Sequence, residues 1–387
     1  MADVVRALSL QDLRKRKSVK WRQYPIDVLP LPVAEMDFPI AAPIKSALLD
    51  MVDRSDTGYL GPFPELFEAF ANFADERWNW KVDTSQMRIA TDVGVGTVEV
   101  IRTLIAPGEK VMLNSPVYDN MWRWVAEVGA TLVDVPLMLH GSYGVESEFT
   151  LDLDGIEKEY KAGVKVHILC HPHNPVGVIF SRESLATLAS LAKKYGVYII
   201  SDEIHGPLVY ERSKFTPFLA VSQDAVDVGV TVTSASKGFN LAGLKCAVII
   251  TGSTAIKEKI NSMPISVAFR ASLFGAVAAT SALRDSVSWL DGVIVALDEN
   301  RKLIRNLIDT KIPAIKYRIP DFGYLAWLDL SELNLGDDPA KTVLERGKVA
   351  FNGGQMYGPR HSQCVRLNFG TSPEVISEAF DRILRSV

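Results

Sequence analysis

The stretch Thr233-Ser234-Ala235-Ser236-Lys237-Gly238-Phe239-Asn240 closes an apolar run, Val228 to Val232, that reads as a buried strand. Two other polar clusters end apolar runs in the same way. One is Cys170-His171-Pro172-His173-Asn174-Pro175-Val176-Gly177, and the other is Ser201-Asp202-Glu203-Ile204-His205-Gly206. A lysine, an aspartate and an asparagine thus stand at the ends of three strands expected to be neighbours. In an open α/β sheet that edge is where ligands bind.

Working outward, short apolar runs alternate with amphipathic ones from Met87 onward. Candidate strands are Arg88–Thr91, Lys110–Leu113, Thr131–Val135, Lys165–Leu169, Val197–Ile200, Val228–Val232 and Ala247–Ile250. Between two of them, Leu185, Leu188, Leu191 and Ala192 fall on one helical face. Ser181 can cap that helix, Lys193 and Lys194 sit in its last turn, and Gly196 stops it. Strand–helix–strand repetition predicts an α/β fold with a mostly parallel sheet between helices. From about Phe274 a long helical pattern leads to two alternating stretches, Gly323–Leu330 and Val365–Phe369. These read as a smaller α+β domain. The expected organisation is an N-terminal arm over 1–45 contributing to the small domain, a large cofactor-binding domain over 46–275 and a small C-terminal domain over 276–387. The arm mixes the basic run Arg14-Lys15-Arg16-Lys17, read as a solvated helix end, with five prolines from Pro25 to Pro43.

Bulk properties narrow the function classes. A net charge of -4 over 387 residues gives no reason to expect nucleic acid or an anionic membrane as partner. Three widely spaced cysteines argue for a reducing compartment and against a disulfide framework. No signal peptide and no run of about 18 uncharged apolar residues is visible, so a soluble cytoplasmic protein is expected.

The lysine–aspartate–asparagine trio is what pyridoxal 5'-phosphate chemistry requires. A lysine forms a Schiff base with the aldehyde, and an aspartate pairs with the pyridinium nitrogen. Once freed, the lysine amine is a base beside the substrate Cα proton. The phosphate needs backbone N–H groups at a helix start, and Thr91-Asp92-Val93-Gly94-Val95-Gly96-Thr97 supplies such a turn before an apolar helix. A dinucleotide fingerprint fits that turn poorly, because Glu99 occupies its third glycine position. A Ser-x-x-Lys hydrolase reading of Ser234 to Lys237 lacks its companion motifs. The Cys170-His171-Pro172-His173 cluster has no second ligand pair, so no metal is expected.

Several pieces together resemble a known family. Val33-Ala34-Glu35-Met36-Asp37-Phe38 is similar to a V-A-D-M-D-F stretch of the cystathionine β-lyase branch (MalY/PatB type) of fold-type-I pyridoxal-phosphate enzymes, within the class I/II aminotransferase superfamily. Asn114-Ser115-Pro116-Val117-Tyr118, His173–Gly177, Ser201–His205, Ser234–Lys237 and Val365-Arg366-Leu367-Asn368 carry the rest of the resemblance, which spans essentially the whole chain. It implies an aminotransferase-like large domain with a seven-stranded sheet and a role for each site residue. Lys237 and Tyr59 would be catalytic, with Tyr59 reaching the phosphate of a partner subunit in a homodimer with shared active sites. Gly94 and Val95 would contact phosphate, with Ser234, Ser236 and Lys245 as its remaining partners. Lys245 stands where aminotransferases carry arginine. Tyr118 would stack on the ring, Asp202 would bind its nitrogen, and Asn174 and His205 would lie near its hydroxyl. Arg366 would grip the α-carboxylate of a small amino-acid substrate, and Trp122 and Trp124 would line the pocket. The implied reaction is β-elimination from cysteine S-conjugates such as cystathionine. An aminotransferase using the same residues, and a regulatory role through a protein partner, stay open.

Overall fold

The computed structural model describes residues 3–387. Seven strands form the main sheet: β1 (Met87–Ala90), β2 (Lys110–Leu113), β3 (Thr131–Asp134), β4 (Val164–Cys170), β5 (Tyr198–Asp202), β6 (Gly229–Thr233) and β7 (Ala247–Thr251). Their order across the sheet is β1-β7-β6-β5-β4-β2-β3. Only β7 runs against its neighbours; the other contacts are parallel. Apart from the edge strand β3, which is exposed or half-buried, the strands are largely buried and read as mostly apolar runs, as the strands of a covered parallel sheet do. The register places Cys170 beside Asp202 and Asp202 beside Val232. The carboxyl ends of β4, β5 and β6 are therefore level. Because β7 is antiparallel, its start, just after Lys245 and Cys246, lies at that same edge, and so does the end of β1.

Local sequence sets the connecting helices. The helix Val93–Leu104 (α1) opens at Asp92, whose carboxylate accepts the Val95 N–H at 2.8 Å. The helix Asp119–Glu127 (α2) follows β2. The helix Arg182–Tyr195 (α3) starts where the Ser181 hydroxyl accepts the Ser184 N–H, and ends at Gly196 with φ 66. Leu185, Leu188 and Ala192 are buried as the periodicity requires, with Ala189 completing the face. A second, four-stranded sheet holds β8 (Lys316–Tyr317), β9 (Leu325–Asp329), β10 (Asn352–Gly353) and β11 (Cys364–Asn368), in the order β8-β9-β11-β10. The long helix Val287–Lys311 lies between the two sheets in sequence.

The segment Pro32–Phe38 joins the two parts without regular secondary structure. Its buried carbonyls still need donors, and side chains supply them. Pro32 O accepts from Arg366 (3.0 Å), Val33 O from Asn368 (2.5 Å), and Ala34 O from both Lys237 (2.8 Å) and Tyr324 (3.0 Å). Met36 O and Phe38 O each accept from Arg16 and Asn240. Arg16 is thus a structural clamp, whereas the rest of the basic run, Arg14, Lys15 and Lys17, is exposed. Asp37 is fully buried. It pairs with the equally buried Lys20 at 2.8 Å and accepts the Trp21 indole N–H at 2.9 Å.

Removing one member of a buried pair strands the other charge, at a cost of about 3–5 kcal/mol. Lys20→Met should therefore lower stability by that order, and Lys20→Met with Asp37→Leu should recover most of it. Urea unfolding measures both. A single variant as stable as wild type would contradict the role given to this pair.

Candidate active site

A cavity of about 430 Å³ opens at the shared strand edge. Asn174, Asp202, His205, Ser234, Ser236, Lys237, Lys245, Gly94, Tyr118 and Arg366 all line it. The main sheet supplies the first seven from the ends of β4, β5 and β6 and the start of β7. Gly94 comes from the first turn of α1, Tyr118 from the residue before α2, and Arg366 from the middle of β11.

Asp202 and Arg366 are buried in this cavity and Lys237 partly so, and the three form no ion pair with one another. Asp202 accepts one hydrogen bond, from the Ile204 N–H at 3.2 Å, and forms no ion pair. Burial pushes its carboxyl up to about 7, against the pull of that N–H and of the Lys237 cation. Burial, with the Arg366 cation next in weight, presses Lys237 down to about 8. An amine held near that value reaches its neutral, nucleophilic form at ordinary pH. Arg366 gives one Nη to Asn174 Oδ1 at 3.1 Å and the other to Pro32 O, and its Nε is a buried donor with no partner. His205 Nδ1 is likewise buried without a partner, and burial drives the ring's pKa down to about 3, so it is a neutral imidazole. Asn174 spends its carbonyl on Arg366, which leaves its amide hydrogens for another group.

The phosphate end is organised by backbone. Ser236 N–H donates to Ser234 Oγ at 3.1 Å, and the Ser234 hydroxyl donates to Cys246 O at 2.6 Å. Lys245 pairs with Asp92 at 2.9 Å, so its charge is already shared. A Cβ at Gly94 would sit 3.1 Å from the Trp124 ring, so a side chain there would require the ring to shift by a few tenths of an ångström.

Three residues expected at the site do not line this cavity. The Val95 N–H is taken by the Asp92 carboxylate, which caps the helix in place of a ligand. Trp122 is not on the wall, whereas Trp124 is. Asn120 and Trp124 are four residues apart on α2 and share a face, and Trp122 points about half a turn away. Tyr59 is 82% exposed, stacked on Phe269 with ring centroids 5.0 Å apart. In the other direction, Asp92, Asp119, Asn120 and Asn352 line the cavity without having been singled out in sequence. Asn352 is placed by its pairing opposite Arg366 across β10 and β11, a relation with no local signature.

An unpaired buried carboxylate, an orphaned imidazole nitrogen, an amine of lowered pKa and a helix start with a free glycine amide fit pyridoxal phosphate group by group: ring nitrogen, ring polar substituent, aldehyde and phosphate. This geometry agrees with the comparisons. The chain belongs to the family "Aminotransferase class I and II", whose sequence pattern it matches over residues 26–383. Among its relatives, a protein of Corynebacterium glutamicum named cystathionine beta-lyase is 32% identical, over 97% of this chain and 98% of that one. Cystathionine beta-lyase PatB of Bacillus subtilis is 32% identical, over 95% of this chain and 96% of the other. Cystalysin from Treponema denticola, whose crystal structure contains pyridoxal 5'-phosphate, superposes with a TM-score of 0.90 at 25% identity, over 100% of this chain and 98% of that one.

The Asp202 carboxyl gives a test that needs no turnover. An acid whose pKa is raised on folding stabilises the fold most below its unfolded pKa of 3.8, and that contribution is lost as pH climbs through about 7. In cofactor-free protein, Asp202→Asn should gain on wild type by up to about 1.4 kcal/mol per unit between about pH 5 and 7. Urea unfolding across that range measures the difference. A difference independent of pH would place Asp202 in the ordinary carboxylate range.

Proposed function

We propose that this chain is a pyridoxal-phosphate-dependent carbon–sulfur β-lyase acting on cysteine S-conjugates such as cystathionine. The observation that carries the reading is the unpaired, buried Asp202 facing the same cavity as Lys237 and Arg366. A cationic ring nitrogen would give Asp202 the partner it lacks. When bound, the cofactor supplies an electron sink for the pair of electrons released at the substrate Cα.

The side chains of this chain supply the rest. Arg366 offers Nε and an Nη edge to the substrate α-carboxylate, a planar fork suited to two oxygens. Asn174, which accepts from Arg366, fixes the orientation of that fork. The Lys237 amine takes the Cα proton, with Ala34 O as the acceptor that holds the resulting ammonium. The Cβ–S bond then breaks, and the electron pair leaves on sulfur as thiolate. Released aminoacrylate hydrolyses to pyruvate and ammonia. Tyr118, fixed edge-on to Trp124 at 5.9 Å, closes one wall against water.

Tyr59 stands exposed beside Phe269, which is itself about half exposed. We read this pair as the part of the surface that a second copy covers, with Tyr59 serving the partner's phosphate in a homodimer. Among the described residues no helix is long and apolar enough to cross a membrane. The three cysteines are unbridged, which favours a reducing, cytoplasmic setting.

Purified holoprotein given cystathionine should release pyruvate, ammonia and thiol in equal amounts through many turnovers, with no amino acceptor present. Turnover that stops after one cycle until a keto acid is added would make the chain an aminotransferase. The active species should sediment as a dimer, and an active monomer would remove Tyr59 from the site.

A further inference from the structure

Part of the cavity wall lies beside Arg366, which pairs across β10 and β11 with Asn352. The cavity is also lined by Asp119, Asn120 and Asn352, none of which the reaction above uses. Asn120 donates its amide hydrogen to the Tyr118 hydroxyl at 2.6 Å, and Asn352 donates to the Tyr357 hydroxyl at 2.9 Å. Tyr357 lies under the Arg366 guanidinium at 5.1 Å, which ties this wall to the carboxylate grip. Each asparagine thus engages one amide hydrogen, and its side-chain carbonyl oxygen has no protein partner among the described residues. The Asp119 carboxylate accepts no hydrogen bond there. Its side chain is 14% exposed, and its one cationic neighbour, Arg123, is 3.9 Å away and 73% exposed.

An acid in the first turn of a helix is stabilised by the helix dipole whatever else it does. What distinguishes Asp119 is that it shares the cavity lining with Asn120 and Asn352, whose side-chain oxygens are free. Three acceptors, one of them a carboxylate, match an ammonium group, which has three donors and no acceptor. That ammonium is not the substrate's own α-amine, which is consumed in joining the cofactor. Nor is it a group near the α-carboxylate, which Arg366 holds. It must belong to the sulfur substituent.

We propose that Asp119, with the carbonyl oxygens of Asn120 and Asn352, selects cysteine S-conjugates whose leaving thiol carries an amine. The proposal rests on the β-lyase reading and refines it: the site discriminates by the charge of the departing group, favouring a cation and repelling an anion.

The test compares two isosteres on the holoenzyme, S-aminopropyl-L-cysteine and S-butyl-L-cysteine. The first is cystathionine without its distal carboxylate, and the second replaces the ammonium by a methyl. Pyruvate release should favour the amine by about tenfold or more in kcat/KM, and Asp119→Asn should cut that preference about tenfold, chiefly through KM. Asn352→Ala should reduce it less, and it serves as the second variant should Asp119→Asn fail to fold. Equal cleavage of both substrates by wild type would overturn this proposal and leave the β-lyase reading standing. A preference kept in full by Asp119→Asn would overturn the assignment to Asp119. Pyruvate from neither substrate, with cystathionine still cleaved, would overturn this proposal alone, and no pyruvate from cystathionine either would overturn the β-lyase reading and this proposal with it.

Discussion

Charge withdrawn wholly or partly from water must find a partner, and in this molecule three such charges, those of Asp202, Lys237 and Arg366, share one cavity without pairing with one another. Asp202 has one backbone N–H, Lys237 has one carbonyl, and Arg366 has a carbonyl and an amide oxygen with its Nε unmatched. Leaving charged groups incompletely satisfied costs several kcal/mol, which a packed protein does not carry without a use for them. The cost is consistent with a site preorganised for a ligand that brings the missing charges: a cation for Asp202, an electrophile for Lys237 and an anion for Arg366. The level ends of β4, β5 and β6 make the arrangement possible, because they deliver groups far apart in sequence to one edge.

The Pro32–Phe38 segment then fixes these groups relative to each other. Its carbonyls accept from Lys237, Arg366, Asn368 and Tyr324, so residues of both sheets are referenced to one short piece of backbone. The buried Lys20–Asp37 pair anchors the segment from the far side. The irregular backbone of this stretch is thus part of the site. A regular strand would spend its carbonyls on a neighbouring strand and leave none for the lysine.

Much of this was legible in the sequence. All seven strands of the main sheet fall within two residues of the runs that announce them, because every strand but the edge strand β3, whose residues are exposed or half-buried, is largely buried and reads as a block. The residues closing those runs were legible for the same reason: a polar group directly after a buried strand stands at the sheet edge. What escaped depends on rotation or on distant register. The choice between Trp122 and Trp124 turns on helical phase, which a short amphipathic helix with two tryptophans does not settle. Asn352 reaches the cavity only because β10 pairs with β11. Asp92, named in sequence only as part of the turn before α1, caps that helix by taking up the Val95 N–H and shares the charge of Lys245. The hydrogen bonds of the Pro32–Phe38 carbonyls leave no trace in composition, since their donors lie up to hundreds of residues away.

The central claim is that the cavity holds its cofactor through Lys237, with Asp202 completing the ring. Borohydride reduction of the yellow holoprotein, followed by digestion and mass analysis of the peptides, tests this most directly. The account predicts the reduced cofactor mass on the peptide that contains Lys237, and no visible band in Lys237→Ala. Label on a different lysine, or a Lys237→Ala protein that still reduces to a covalent adduct, would contradict it.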